Sequence, residues 1–135
     1  MPAVLADVNV EGQFAVLVRI WLSEAWRDVW TGLNYSLETF ETLGLPRNAS
    51  DTSVWQTCQS RQVVLVTANR NRRGPDSLEA AIHTLNTATS LPVITLASPE
   101  RLNHDRLYAE HVAERLLDYL MTIDNYRGAG RLYVP

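Results

Sequence analysis

Asp51-Thr-Ser-Val-Trp-Gln-Thr-Cys-Gln-Ser-Arg-Gln-Val-Val-Leu-Val-Thr-Ala-Asn-Arg-Asn-Arg-Arg73 decides the fold. An acid opens a helix over 51–61, with Ser50 or Asp51 as its cap and Val54, Trp55 and Cys58 on its buried side. The helix feeds an apolar, β-branched strand over 62–67. An unbroken apolar run of this length fits a parallel sheet covered on both faces. The strand ends in a polar turn, Thr67-Ala68-Asn69-Arg70-Asn71. In open α/β sheets, ligands bind at the carboxyl ends of strands, so this turn lies where a site is expected.

The rest of the chain repeats the alternation. Residues 3–6 read as a short buried strand that ends at Asp7. Phe14, Leu17, Val18, Ile20 and Trp21 then mark the apolar face of a helix over 11–24. Residues 26–33 read as a strand, because Ser23 to Trp26 can hold a turn and Gly32 interrupts a helix. Residues 34–50 read as a polar connection with a short helix at Leu37 to Leu43. Asp76 caps a further helix, with Glu79 in capping-box position. Pro92 to Leu96 form another strand. Ser98-Pro99-Glu100 starts a long helical stretch to about Asn125, with a break near Asn103. Arg131 to Pro135 form a last edge strand. Strands alternating with helices predict one α/β domain over 1–135, a three-layer sandwich with a mostly parallel central sheet.

Composition removes several chemistries. The 135 residues carry 46% hydrophobic side chains, 20% charged ones and a net charge of −3. Any attraction to nucleic acid must therefore come from a local patch. There is no lysine, and all 12 cationic side chains are arginine. Walker-type phosphate loops, Schiff-base chemistry and lysine general bases are excluded. The receiver-domain pattern, which also has an early strand-end Asp, relies on a lysine as well. The single Cys58 rules out an internal disulfide and reads as a core residue. The N-terminus shows no signal peptide and no stretch suits a bilayer, so a cytoplasmic protein is expected. His83, His104 and His111 lack the spacing of a zinc pair and read as surface or capping residues.

A metal-dependent hydrolase needs carboxylates converging on one point, with hard oxygen ligands for Mg²⁺. Asp7, Asp51 and the turn after residue 67 are predicted to meet at one sheet edge. These residues carry a resemblance. Leu5-Ala-Asp7-Val-Asn9-Val resembles the opening of PIN domains, where Asp and then Asn follow the first strand. Residues 51–71 resemble the second half of that signature, in which an Asp opens a helix, a strand ends in Thr, and Asp-x-Asp follows. The compact PIN-like proteins of the DUF5615 type look most similar, and the resemblance covers residues 3 to about 98.

That resemblance implies a Mg²⁺- or Mn²⁺-dependent ribonuclease, often the toxin of a toxin–antitoxin pair. Carried over by position, Asp7 and Asp51 are metal and catalytic acids, and Thr67 orients the third position. Asn69 and Asn71 stand where the family has catalytic aspartates. The remaining metal acid is matched to Glu41, with Glu38 as the alternative. Each lost carboxylate removes on the order of 8 kcal/mol of gross attraction to a dication at close range, before dehydration is counted. Arg70, Arg72 and Arg73, with Asn9 and Thr67, are the candidate substrate-binding residues; the arginines can clamp phosphate or form a solvated turn. Three functions follow from these residues: a nuclease with weakened metal binding, a module that binds without cutting, or an unrelated α/β domain. The partners to consider are RNA, an antitoxin-like protein and a second copy of the chain, with no membrane.

Overall fold

Residues 2–70 and 73–135 are described by the computed structural model. Asn71 and Arg72, both candidate site residues, lie outside the described residues. The first strand is β1 (Ala3–Ala6), and all its residues are buried. Helix α1 (Glu11–Trp21) follows after a single 3-10 turn. The remaining strands are β2 (Ser36–Glu38), β3 (Val63–Thr67), β4 (Val93–Leu96) and β5 (Arg131–Val134). They form one five-stranded sheet in the order β2-β1-β3-β4-β5, and every pair is parallel. The α/β class and the parallel sheet agree with the sequence reading.

Alternation along each strand divides the core into two halves. Val4, Ala6, Val64, Val66, Ile94, Leu96 and Val134 face one way. They meet Phe14, Leu17, Ile20 and Trp21 of α1 and Val112, Leu116 and Leu120 of α5 (Arg106–Met121). Ala3, Leu5, Val63, Leu65 and Val93 face the other way. They meet Val54, Trp55 and Cys58 of α3 (Asp51–Arg61) and Leu78, Ala81 and Ile82 of α4 (Leu78–Leu85). Helices thus cover both faces, which explains the apolar runs Ala3–Ala6 in β1 and Val63–Val66 in β3 and the full burial of β4, Thr95 included.

Two expectations are corrected here. Residues 26–33, expected as a strand, form helix α2 (Arg27–Leu33). Helical spacing brings Trp26 and Trp30 to one face while Arg27, Asp28 and Thr31 stay exposed. Trp30 stacks on Trp21 at 4.6 Å between ring centroids, and Tyr35 continues the stack at 6.1 Å. That tertiary contact overrides the weak helix propensity of Gly32. Asn34, in the left-handed region at φ 58°, ends the helix. The chain then supplies its edge strand at 36–38, where a polar connection was expected. Of the anticipated helix at 37–43, residues 37–38 belong to β2 and a tight turn over 40–44 follows, closed by the Leu45 N–H donating to Phe40 O at 2.8 Å.

The helix after the arginine loop also starts one residue later than expected. Its cap is Ser77, whose Oγ accepts from Ala80 N at 3.1 Å, and not Asp76. The anticipated break near Asn103 is present, with a 3-10 turn over Pro99–Asn103 ahead of α5. Cys58 is buried and its thiol is pushed up to about 12 by burial and then by the charge of Asp7. It is a core residue with no thiolate to offer.

Trp21 is fully buried, and its Nε1 donates to Ala113 O at 3.0 Å, tying α1 to α5. Trp21→Ala is expected to cost about 3–5 kcal/mol, read as a lower urea midpoint. Leu107→Ala, at a site that is 80% exposed, is expected to stay within ~0.5 kcal/mol. Equal midpoints would contradict this placement of the core.

Candidate functional site

The parallel register sets the site. Ala6 pairs with Val66, so the next residues, Asp7 and Thr67, emerge side by side at the carboxyl ends of β1 and β3. Thr67 Oγ1 donates to Asp7 Oδ2 at 2.8 Å, and Val8 N donates to Asp7 Oδ1 at 2.8 Å. The Thr67 hydroxyl in turn accepts from Asn69 N at 3.0 Å, which bends the chain as it leaves β3. Thr67 therefore orients both the acid beside it and the turn after it.

That bend directs the Asn69 side chain toward α3. Asn69 Nδ2 donates to Asp51 Oδ2 at 2.9 Å, and the same oxygen accepts from Leu78 N, the first amide of α4, at 3.1 Å. A carboxylate only accepts, so the amide must present its nitrogen here. Asp51 also lies in the first turn of its own helix. Two helix N-termini and one amide thus stabilise its negative charge. Asp7, Thr67, Asn69 and Asp51 form one connected network, as the strand-end reading expected.

Asp7 is less well compensated. Burial pushes its carboxyl above the ordinary value of 3.8, the hydrogen bonds from Thr67 and Val8 pull it down, and the charges of Asp51 and Glu11 raise it further. The net direction is upward. Glu11 was not a sequence candidate, although it stands one helical turn after Asp7. Its own partner is Arg47, at 2.7 Å in an exposed ion pair. Glu41 is exposed and lines a cavity of about 430 Å³ with Glu11 and Arg47. Glu38 accepts from Thr42 Oγ1 at 3.4 Å. Neither stands among the charges that act on Asp7. Asn9 is exposed in the 3-10 turn past β1 and makes no hydrogen bond to the network among the described residues.

Among the described residues, no three His, Cys, Asp or Glu side chains converge closely enough to hold a metal ion. Asp51 turns one oxygen to an amide N–H, a group that repels a cation. The described residues therefore do not fit the acid-rich centre that the resemblance implied.

Positive charge gathers at the other end of the edge. Arg131, read from sequence only as the start of a strand, has a side chain just 7% exposed. Its guanidinium donates to Asn69 O at 2.8 Å, Thr95 Oγ1 at 2.7 Å and Glu79 Oε2 at 2.9 Å. It holds the loop after β3 against β4 and α4. An arginine opening an otherwise apolar strand was the available signal. Arg70 and Arg73 are exposed on that loop. His83, His104 and His111 are all exposed and far from this role.

Asp7 allows a pH test. Its folded pKa is raised, so its contribution to stability is fully present below the ordinary value of 3.8 and is lost as pH rises through the folded value. At neutral pH its charge opposes folding. Asp7→Asn is expected to raise the thermal midpoint at neutral pH and to leave it level or lower in acid below the ordinary carboxylate range. A variant that is less stable than wild type at neutral pH would contradict this. Comparison with protein-family models, with curated proteins and with solved structures returns no match, so the reading of this edge stands on its own geometry.

Proposed function

We propose that the chain is a PIN-like module whose strand-end site binds single-stranded RNA without cutting it. One observation carries the reading. Asn69 meets Asp51 as a hydrogen-bond donor at the position where a nuclease of the resembled family would present a second acid. An amide there converts a like-charge contact, which a cation would have to relieve, into a charge-assisted hydrogen bond. Such bonds contribute about 1.5–3 kcal/mol. The α4 N-terminus adds to the same carboxylate. The site is satisfied by its own groups. Exposed Arg70 and Arg73 beside it supply the local positive charge that a net −3 chain needs for RNA.

A second reading is a weak Mg²⁺- or Mn²⁺-dependent ribonuclease. It is favoured by Asp7, whose carboxyl is raised in part by two neighbouring acids, Asp51 and Glu11, with no cation among the described residues to offset them. Such crowding also occurs at acid pairs that work as catalysts. On either reading the protein acts in the cytoplasm, where RNA is its partner. No helix among the described residues is long and apolar enough to cross a membrane.

Calorimetric titration with Mn²⁺ separates the two. The wild type is expected to show no saturable binding at millimolar Mn²⁺ and no cleavage of a single-stranded RNA, while binding that RNA in a salt-sensitive way. Asn69→Asp is expected to lose about 1.5–3 kcal/mol of stability in chelator, to regain it with Mn²⁺, and to bind the ion measurably. Saturable Mn²⁺ binding and RNA cleavage by the wild type, both lost in Asp7→Ala, would establish the nuclease instead.

A further inference from the structure

The row of side chains that begins with Asp7 and Thr67 runs on across the sheet. Thr67 pairs with Thr95, and Thr95 pairs with Tyr133 on the outermost strand. At about 4.8 Å per strand, Tyr133 lies ~14 Å from Asp7. Tyr133 is 47% exposed, although it belongs to a short strand covered at Val134. Arg70 reaches it from the loop after β3, with the guanidinium carbon 5.3 Å from the ring centroid. Arg70 Nη2 also donates to Ala97 O, one residue past β4, at 3.1 Å.

Those two contacts orient an otherwise exposed guanidinium. Its Nε and Nη1 have no protein acceptor among the described residues, so its remaining donors are available to an anion. A planar cation held in this way recognises a phosphate, and the half-exposed ring beneath it can take the flat face of a base on the side that Arg70 leaves uncovered. One nucleotide unit presents both groups a short distance apart. The charge along the edge gives the direction. Asp7, Glu11 and Asp51 gather at the β1 end, where Asp7 feels the charge of both neighbours, and Arg70 stands at the β5 end. A phosphate chain is repelled from the first and drawn to the second.

We propose that Arg70 and Tyr133 form a nucleotide platform at the β5 end of the strand-end edge, with a base stacked on Tyr133 and its phosphate held by Arg70. This rests on the reading of the chain as a module that binds RNA without cutting it, and it names where the strand is gripped. The same chemistry suits a nucleotide within a single strand or a free nucleotide.

The test is fluorescence anisotropy with a labelled single-stranded RNA oligomer, using the full chain, its Tyr133→Ala, Tyr133→Phe and Arg70→Ala variants, and AMP as competitor. Tyr133→Ala is expected to weaken binding about ten-fold or more, and Tyr133→Phe to retain it. Arg70→Ala is expected to weaken binding and to lower the slope of log affinity against log salt by roughly 0.7. The thermal midpoint of each variant, expected to match wild type at these exposed positions, separates lost recognition from lost fold. Competition by AMP at oligomer-like concentrations assigns the platform to a free nucleotide, and weaker competition assigns it to RNA. RNA binding by the wild type that is unchanged in folded Tyr133→Ala overturns the platform and leaves the broader reading standing. Absence of binding to the oligomer and to AMP overturns both.

Discussion

The carboxylate of Asp51 is the contact on which the functional edge depends. It opens α3, accepts the side chain of the loop leaving β3, and accepts the first amide of α4. Three elements that lie apart in sequence are joined at one oxygen. Each contributes a positive partial charge, so hydrogen bonds and helix ends stabilise the ion. The consequence is mechanical as well. Asn69 is held by Asp51 at its side chain, by Thr67 at its amide and by Arg131 at its carbonyl, which anchors the chain where it leaves β3.

That arrangement splits the strand-end edge into two electrostatic halves. At the β1 side, Asp7 is half-buried among acids and its proton affinity rises. At the β5 side, Arg131 is internally matched to Glu79, while Arg70 is held by a ring and a carbonyl. Arg131 shows how a buried cation is tolerated. Its guanidinium makes three hydrogen bonds, the one to Glu79 being also an ion pair, and these offset much of the removal of its charge from water, while its buried Nε has no partner among the described residues. Its position on the first residue of an edge strand lets the long side chain run beneath the loop to the site. The fold thus supplies a polar, asymmetric edge above a sheet whose two faces are otherwise apolar.

Much of this was legible in the sequence, and the rest was hidden for physical reasons. The apolar run at 63–66, with the short buried strand at 3–6, announced a covered parallel sheet, because a strand buried on both faces has no polar alternation to lose. Asp7 and Thr67 were legible as strand-end residues for the same reason. Residues 26–33 misled, since aromatic spacing is compatible with either period and the deciding contact, Trp30 on Trp21, is tertiary. β2 has three residues and a polar composition, so it carries no periodic signal. Glu11 and Arg131 were missed because each gains its role from a fold-dependent neighbour. Glu79 was assigned to a cap by its spacing, whereas a cation 52 residues away claims it. Glu41 was matched by its place in a family pattern, and the turn at 40–44 leaves it exposed beside Glu11 and Arg47 and outside the charges that act on Asp7.

The central claim is that an amide occupies and satisfies the acid at this edge. NMR of the Asn69 side-chain NH₂ group, labelled with ¹⁵N, tests it most directly. The account predicts two well-separated amide proton signals, slow to exchange, that do not move when millimolar Mg²⁺ is added. They should collapse in Asp51→Asn, where the charged acceptor is gone. Signals already averaged as in a solvated amide, or signals that shift saturably with Mg²⁺, would show that Asp51 is free to take a cation and would contradict the account.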